Sequence, residues 1–121
     1  RALAGFQQAI DSLGVAAQVT TFTASDFGRT MTSNGGGTDH GWGSHHFLLG
    51  GAVRGGAFYG TAPEALLNGP EDVGQGRLLP STSVDQYAAT LAYCFVCCYT
   101  EMSPVAPSIT RFSQRDLGFF G

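Results

Sequence analysis

The stretch VAAQVTTFTASDFG, residues 15–28, sets the expectation for the fold. Its first ten residues are mostly apolar or β-branched and contain neither Gly nor Pro, which is typical of a buried strand. In α/β proteins, ligand-binding residues lie just past the carboxyl ends of strands, because helices cover both faces of the sheet. The stretch therefore predicts a buried strand, with Asp26 as a candidate ligand residue at its end.

Helical spacing of apolar residues predicts a helix on each side of this stretch. Near the start, Gly14 ends a pattern formed by Leu3, Phe6, Ile10 and Leu13. Further on, residues 81–96 read STSVDQYAATLAYCFV, where a Ser or Thr at 81–83 is a candidate N-cap and Asp85 lies in the first turn. The apolar positions of this second helix are Val84, Tyr87, Leu91 and Phe95.

These elements predict an α/β fold that is rich in loops, with a few short strands and two main helices. FLL, at 47–49, suggests a second short strand, and RGGAFYG, at 54–60, suggests a third. Residues 61–80 are mostly turn formers and are predicted to be a surface loop. The length of 121 residues suits a single domain, residues 1–121, or a fragment of one.

Charge and hydropathy exclude two classes of partner. The net charge is −3, there is no Lys, and the six Arg are scattered singly, so the basic stripe that nucleic-acid binding requires is missing. The longest apolar run, LAYCFVCCY, has about half of the roughly 18 to 20 residues of a membrane-spanning helix. We therefore expect neither nucleic acid nor a membrane span.

The expected partner is protein. The chain opens with RALAGFQQAIDSLG, which is typical of the middle of a helix. A free fragment would expose a strand edge and the apolar face of its first helix. We therefore expect the remainder of a longer polypeptide, or a second copy of the chain, to cover these surfaces.

Acidic and imidazole side chains gather between residues 23 and 46. The candidates are Asp26, Asp39, His40, His45 and His46. Such ligands suit zinc, manganese or iron, because carboxylate oxygens favour harder ions and imidazoles favour borderline ones, and we expect a divalent metal such as zinc, manganese or calcium. Alternatively, the two Asp tie turns through their side chains and the adjacent His pair caps a strand, because none of the spacings is a closed metal motif.

Arg29 follows three residues after Asp26 and also has two interpretations. Its guanidinium could bind a phosphate or sulfate oxygen as a fork. It could equally pair with Asp26 or Asp39 and hold the loop, and this structural pairing is favoured for an isolated Arg close to two Asp.

Three Cys stand at positions i, i+3 and i+4 of the second predicted helix, namely Cys94, Cys97 and Cys98. One helix presents at most two thiols to a metal, and the i, i+3 spacing rarely suits a disulfide. Buried small hydrophobic side chains are the favoured interpretation.

Residues 19–60 resemble a known family, most specifically in SDFGRT, at 25–30, and DHGWGSHHF, at 39–47. The resemblance is to the C-terminal part of the domain of unknown function 1501 family. It continues through GRLLPSTSVDQYAATLAY and the RDLGFF tail. Members are bacterial proteins, usually exported by the twin-arginine route and related to the alkaline phosphatase and sulfatase superfamily. The resemblance implies the C-terminal portion of an alkaline-phosphatase-like fold and a periplasmic or extracellular location.

The superfamily's metal motif is an Asp-His-Gly at the end of a buried strand, followed by a later His in the next loop. The resemblance implies that Asp26, Gly28 and His40 take the positions of the Asp, the Gly and the later His. Phe27 stands where the superfamily has its ligand His, which removes one imidazole. A rival alignment places the motif at Asp39-His40-Gly41, but SNGGGT before it does not suit a buried strand.

Two functions follow from the resemblance. In the first, the chain is the C-terminal segment of an exported phosphate or sulfate ester hydrolase, with metal ligands, with Arg29 on the anion, and with no catalytic residue of its own. The nucleophile and the remaining ligands would precede this segment, so the chain should not hydrolyse esters alone. In the second, it is a non-catalytic structural or binding module on an alkaline-phosphatase-like scaffold.

Overall fold

The computed structural model describes residues 1–95 and 101–121, which divide into two compact units. The first unit comprises Arg1–Ala24, His46–Tyr59 and Gly118–Gly121. The second comprises Ser25–His45 and Gly60–Leu117. Short strands and two helices occur together, which agrees with the α/β class. The assignment of 1–121 to a single domain or a fragment stays a prediction.

The first unit begins with helix α1, Ala2–Ser12. Its C-cap is Leu13, and Gly14 follows with a φ of 72°, so the helix ends where the sequence predicts. The helix buries none of its residues. Leu3, Phe6 and Leu13 are 42%, 48% and 72% exposed, so the predicted apolar face exists and nothing in the described part of the chain covers it fully.

Strand β1, Thr20–Phe22, pairs antiparallel with strand β4, Leu48–Gly50. The predicted strand at 15–24 is therefore much too long, and its side chains are half-buried or exposed. Ala16–Gln18 form a 3-10 turn instead of strand. The Ala16 carbonyl accepts a hydrogen bond from the N–H of Gly51, the residue that follows β4. FLL is confirmed as strand-forming sequence, because β4 begins within it.

The RGGAFYG segment is not a strand, contrary to the prediction. Its backbone is irregular, and the Tyr59 hydroxyl donates to the Arg54 carbonyl at 2.8 Å across the segment. The C-terminal residues of the first unit pack on it. Phe119 is fully buried, meets the Tyr59 ring edge-on at 5.8 Å between centroids, and accepts a backbone hydrogen bond from Arg54.

The second unit contains an antiparallel hairpin and helix α2. The hairpin consists of β2, Gly28–Ser33, and β3, Thr38–Gly41. Helix α2, Val84–Cys94, is confirmed with its N-cap: the Ser83 Oγ accepts from the Asp85 N–H at 3.1 Å. A buried cluster of Ala89, Met102, Ala106 and Ile109 packs this helix against the chain that follows.

The buried face of α2 includes Leu91, as predicted, but it otherwise differs from the predicted face. Val84 and Phe95 are 74% and 66% exposed, whereas Gln86 and Thr90 are buried. Both polar side chains bind the tail: Gln86 Nε2 donates to the Gln114 carbonyl at 2.8 Å, and Thr90 Oγ1 accepts from the Leu117 N–H at 3.0 Å. Hydrogen bonding therefore stabilises this face together with the burial of Ala89 and Leu91.

The exposure of Cys94 and the lengths of the helices bear on two further predictions. Cys94 is exposed, so the prediction of a buried small side chain is wrong for it, while Cys97 and Cys98 lie outside the described residues. Among the helices that the structure describes, none is long and apolar enough to cross a bilayer.

Candidate functional site

The candidate ligands of the second unit lie on or beside the β2–β3 hairpin. In β2 the side chains alternate, with Gly28 and Thr30 buried and Arg29 exposed, as the two-residue period of a strand requires. The SNGGGT segment forms the tip, where the Asn34 N–H donates to the Gly37 carbonyl at 2.9 Å. Neither strand of the hairpin is predicted from the sequence; the β-branched Thr30 and Thr32 were the available signal for β2.

An aromatic stack joins the two strands of the hairpin. Arg29 and His40 are cross-strand partners, so their side chains share one face. The His40 ring stacks on Phe27 with 3.6 Å between centroids and 7° between planes. The Arg29 guanidinium carbon lies 5.0 Å from the centre of the same Phe27 ring, within the range of a cation–π contact. An imidazole and a guanidinium are thus held beside each other through one phenyl ring.

Arg29 does not make the structural pairing that was favoured from the sequence. Its Nη1 donates to the Thr38 carbonyl at 2.8 Å, and it forms no ion pair with Asp26 or Asp39 in the part of the chain described. The favoured interpretation is therefore wrong. The physical reason is that the phenyl face and a backbone carbonyl of β3 already hold the guanidinium.

Asp39 and Asp26 behave differently. Asp39 ties the tip: its Oδ1 accepts from Asn34 Nδ2 at 2.7 Å, and its N–H donates to Thr30 Oγ1 at 3.1 Å. Asp26 precedes β2 and is exposed, and the neighbouring turn is held by Ser25, whose Oγ donates to the Phe27 carbonyl at 2.9 Å. The turn-tying alternative thus describes Asp39, while Asp26 is a carboxylate facing solvent.

The adjacent His45 and His46 belong to different units. His46 is half-buried in the first unit, where its Nδ1 lies 3.4 Å from Thr23 Oγ1, and the same hydroxyl accepts from the Phe47 N–H at 2.8 Å. His45 is an exposed residue of the second unit. The hairpin therefore brings together Arg29, Asp39 and His40, and it does not include the His pair.

Fewer candidate ligands lie close together among the described residues than a metal site requires. No three His, Cys, Asp or Glu side chains of the described residues stand close enough together to hold an ion. His40 nevertheless keeps ligand chemistry, because the lone pair of an imidazole lies in the ring plane and the stack on Phe27 covers only a ring face. A complete site would require ligands beyond this hairpin.

Comparison with known proteins now gives the family. The family model described as "Protein of unknown function (DUF1501)" matches residues 1–91 of the 121. The chain belongs to the DUF1501 family. No curated protein and no solved structure matches it.

The DUF1501 match includes all the candidate ligands between Asp26 and His46, and it also includes Arg29. The RDLGFF tail lies beyond the matched residues, so the resemblance drawn through it stays a prediction.

A loop between Asn68 and Leu79 supports the hairpin of this DUF1501 chain. β2 has two more residues than β3 between the Arg29–His40 and Ser33–Thr38 pairs, which makes a bulge. Within the bulge, the Met31 N–H donates to the Gly76 carbonyl at 3.1 Å and Thr32 Oγ1 donates to the Gln75 carbonyl at 2.8 Å. The predicted surface loop is thus hydrogen-bonded to the hairpin that carries the site.

The loop is itself organised by the Asp72 carboxylate. Backbone N–H groups of Asn68, Gly74 and Gly76 donate to it at 2.8, 2.8 and 2.9 Å. The pKa of Asp72 lies below its usual value, and the hydrogen bond from the Asn68 N–H is the largest cause. Desolvation raises the pKa, whereas the hydrogen bonds from Gly74 and Gly76 lower it further. The ionised carboxylate is therefore the form that the folded loop binds.

Acid is expected to loosen this loop. The pKa of Asp72 is lower in the folded state, so the carboxylate stabilises the fold above its ordinary pKa, and this stabilisation is lost as the pH falls through the lowered value. Amide hydrogen exchange of Gly74 and Gly76, measured over a pH series and corrected for the intrinsic rate, should show protection falling in that window. In Asp72→Asn the protection should be lower and independent of pH there, whereas Asp11→Asn should behave like the parent. The same acid-dependent loss in Asp72→Asn would contradict the assignment.

A shallow groove lies on another side of the second unit. It has a volume of about 480 Å³ and no charged side chain in its lining. Trp42 in its wall is 70% exposed. The other main contributors are Leu79, Pro80, Thr82, Val84 and Phe112. The groove is largely apolar and offers an aromatic surface to solvent.

Proposed function

We propose that this DUF1501 chain is the C-terminal segment of an exported sulfatase- or phosphatase-like protein and supplies ligands to a metal- and anion-binding site. In this proposal His40 and Asp26 bind a divalent metal and Arg29 contacts the anionic ester. The chain supplies no nucleophile and does not hydrolyse esters alone. The remainder of a longer polypeptide completes the site and covers the exposed face of α1.

The observation that carries the proposal is the Phe27 stack. It holds His40 and Arg29 beside each other on one exposed face of the hairpin, with neither engaged by a carboxylate. A planar guanidinium at that place suits two oxygens of a tetrahedral phosphate or sulfate, and the in-plane nitrogens of His40 suit a metal. Asp26 lies one residue from Phe27 in the chain, so a carboxylate is close to the stack in sequence.

Each group has a defined chemical part in the proposal. A bound divalent metal would polarise the ester and stabilise charge on its oxygens. Arg29 would neutralise charge on the same anion as a two-pronged donor, a geometry that Lys does not reproduce. Phe27 would fix the plane of His40 and the position of the guanidinium instead of contributing a ligand.

A non-catalytic binding module is the second candidate. It is favoured by Phe27 in place of a ligand His and by the uncharged groove beside Trp42. A module of this kind would use the groove and the exposed aromatic surface to contact a partner. It predicts no metal and no dependence on Arg29.

Metal content separates the two functions. We expect the longer polypeptide that contains this chain, purified natively, to retain a divalent metal, detected by elemental mass spectrometry, and an Asp26→Ala, His40→Ala double variant of it to lose the metal. Asp11→Ala, His45→Ala is the matched control: it removes one carboxylate and one imidazole, and its second position tests His45 against His40. Absence of metal from the parent, or equal metal in parent and double variant, would contradict the proposal.

Anion binding gives an independent test of Arg29. Inorganic phosphate and sulfate should shift the NMR signals of Arg29 and His40 in the parent, and Arg29→Lys should weaken this response because the fork is lost. Arg111→Lys, at an exposed position away from the hairpin, is the control. An equal response in Arg29→Lys would leave the anion role without support and would favour the module.

A further inference from the structure

Both Asn of the chain, Asn34 and Asn68, precede Gly, and they lie in contrasting surroundings. Asn34-Gly35 is at the exposed tip of the β2–β3 hairpin. Asn68-Gly69 is at the start of the loop organised by Asp72. Asn followed by Gly favours attack of the Gly backbone nitrogen on the Asn side chain, because Gly has no Cβ to obstruct the approach. The reactivity of the two Asn-Gly pairs can therefore be compared within one chain.

We propose that Asn34 is a site of spontaneous deamidation and that Asn68 is protected by its fold. The Gly35 nitrogen loses its proton to base and forms a bond with Asn34 Cγ. The Cγ–Nδ2 bond then breaks and ammonia leaves, which closes a five-membered succinimide. Water opens this ring at either carbonyl and gives Asp or isoaspartate, so the net change consumes one water and releases one ammonia.

The tip leaves the reacting atoms accessible. Gly35 has a φ of 90°, and the space where a Cβ would stand contains no atom within 4 Å. Among the described residues its N–H donates to the Ser33 hydroxyl, at 3.2 Å, the long end of the usual N–H···O range. A rotatable, exposed hydroxyl releases that N–H readily.

A donor also faces the oxygen on which charge develops. The Gly36 N–H donates to Asn34 Oδ1 at 3.0 Å. When the Gly35 nitrogen attacks Cγ, negative charge moves to this oxygen, and a hydrogen bond already aimed at it stabilises the tetrahedral state. The tip thus combines an accessible nucleophile with a polarised carboxamide.

Asn68 has the opposite arrangement around its following Gly. The Gly69 N–H donates to the Leu66 carbonyl at 3.1 Å, a backbone hydrogen bond. A Cβ at Gly69 would stand 2.9 Å from that oxygen, so the carbonyl closes over this side of the backbone. Asn68 has a φ of 60° and its own N–H is bound by Asp72 Oδ2 at 2.8 Å. Attack by Gly69 therefore requires the loop to open first.

Conversion would alter the hairpin beside the candidate site. Asn34 Nδ2 donates to Asp39 Oδ1 at 2.7 Å, and Asp39 is adjacent to His40. An acid at position 34 has no such donor at neutral pH and sets a second negative charge against Asp39, which like-charge repulsion disfavours. Deamidation would therefore release Asp39 from the tip. The inference does not depend on metal or anion binding.

The test is peptide mapping by mass spectrometry after the intact chain has been incubated in mildly alkaline buffer, with isoaspartate quantified separately. Asn34 should convert about fivefold faster than Asn68 or more, the factor that a protecting hydrogen bond of ~1 kcal/mol provides. In denaturant the two rates should approach each other. Ser33→Ala, which frees the Gly35 N–H, should speed conversion of Asn34 and leave Asn68 unchanged.

Two results would overturn the inference. One is an Asn34 that remains intact, or converts no faster than Asn68, in the folded chain. The other is a rate ratio as large in denaturant as in native buffer, because the selectivity would then come from local sequence and not from the fold. Asn34→Gln, which leaves only Asn68 to deamidate, identifies the Asn34 peptide and its products.

Discussion

Replacement of Phe119 by Ala should lower the free energy of unfolding by about 3–5 kcal/mol, the usual cost of emptying a buried phenylalanine position. Phe119 is fully buried in the first unit, and it contacts the rings of Tyr59 and Phe120 with centroids 5.8 and 4.9 Å away. Its carbonyl also accepts from the Arg54 N–H at 2.9 Å. The cavity cannot collapse easily, because this bond and the one from the Gly121 N–H to the Ala52 carbonyl hold the short C-terminal segment.

Urea unfolding followed by tyrosine and tryptophan fluorescence measures this cost. Phe58→Ala is the matched control, since Phe58 is a phenylalanine of the same unit that is fully exposed. It should change the free energy of unfolding by no more than about 0.5 kcal/mol. Equal losses in the two variants would show that Phe119 is not a core residue.

Gly28→Ala should be about as damaging, and it should act on the candidate site. A Cβ on Gly28 would overlap the Gly43 carbonyl oxygen and stand 2.6 Å from its carbon, both of them backbone atoms. Overpacking against backbone forces strands apart instead of turning a side chain, so we expect a loss of about 3 kcal/mol or more. Because Gly28 pairs with Gly41 beside the Arg29–His40 pair, the stack on Phe27 should separate.

Proton NMR reports this directly, since ring current from Phe27 shifts the signals of the stacked His40 ring. Those shifts should move toward free-histidine values in Gly28→Ala. Gly36→Ala is the control: the nearest atom to its Cβ would be 3.8 Å away and its φ is not positive, so both the stack and the stability should be kept. Parent-like His40 signals in Gly28→Ala would refute the close approach of the strands.

Local signals predicted the helices well. The capping residues at the start of α2 and the Gly after α1 fixed their ends, because these features depend on a few neighbouring residues. The buried face of α2 was predicted only in part: Leu91 is buried as predicted, but Gln86 and Thr90 are also buried, with hydrogen bonds to residues 114 and 117. Hydrogen bonds to residues that are distant in sequence cannot be predicted from the spacing of apolar residues.

Strands were predicted less well, for a related reason. An apolar run at 15–24 was interpreted as one buried strand, yet only Thr20–Phe22 pair, and the run lies in a two-stranded sheet. The hairpin was not predicted, because the Gly-rich SNGGGT segment is typical of a loop. Strand formation depends on a partner, and neither register nor the bulge between Arg29 and Ser33 can be inferred from one strand.

The roles of the candidate site residues stay predictions, and their arrangement was not foreseen. Arg29 and His40 were each singled out from the sequence, but their shared contact with Phe27 was not predicted, because Phe27 was considered only as a missing ligand. His45 and His46 were grouped with them on sequence proximity alone. Side chains of adjacent residues in an extended chain point in opposite directions, so closeness in sequence does not place them in one cluster.

The bulge in β2 has a consequence for aggregation. A two-stranded hairpin has two open edges, and an open edge can recruit a strand from another molecule. The bulge turns the Met31 N–H outward from the pairing with β3, and the Gly76 carbonyl takes it. The loop around Asp72 thus covers this position of the edge with one backbone hydrogen bond. Its loss would free a polar edge for pairing between molecules as well as loosen one hairpin.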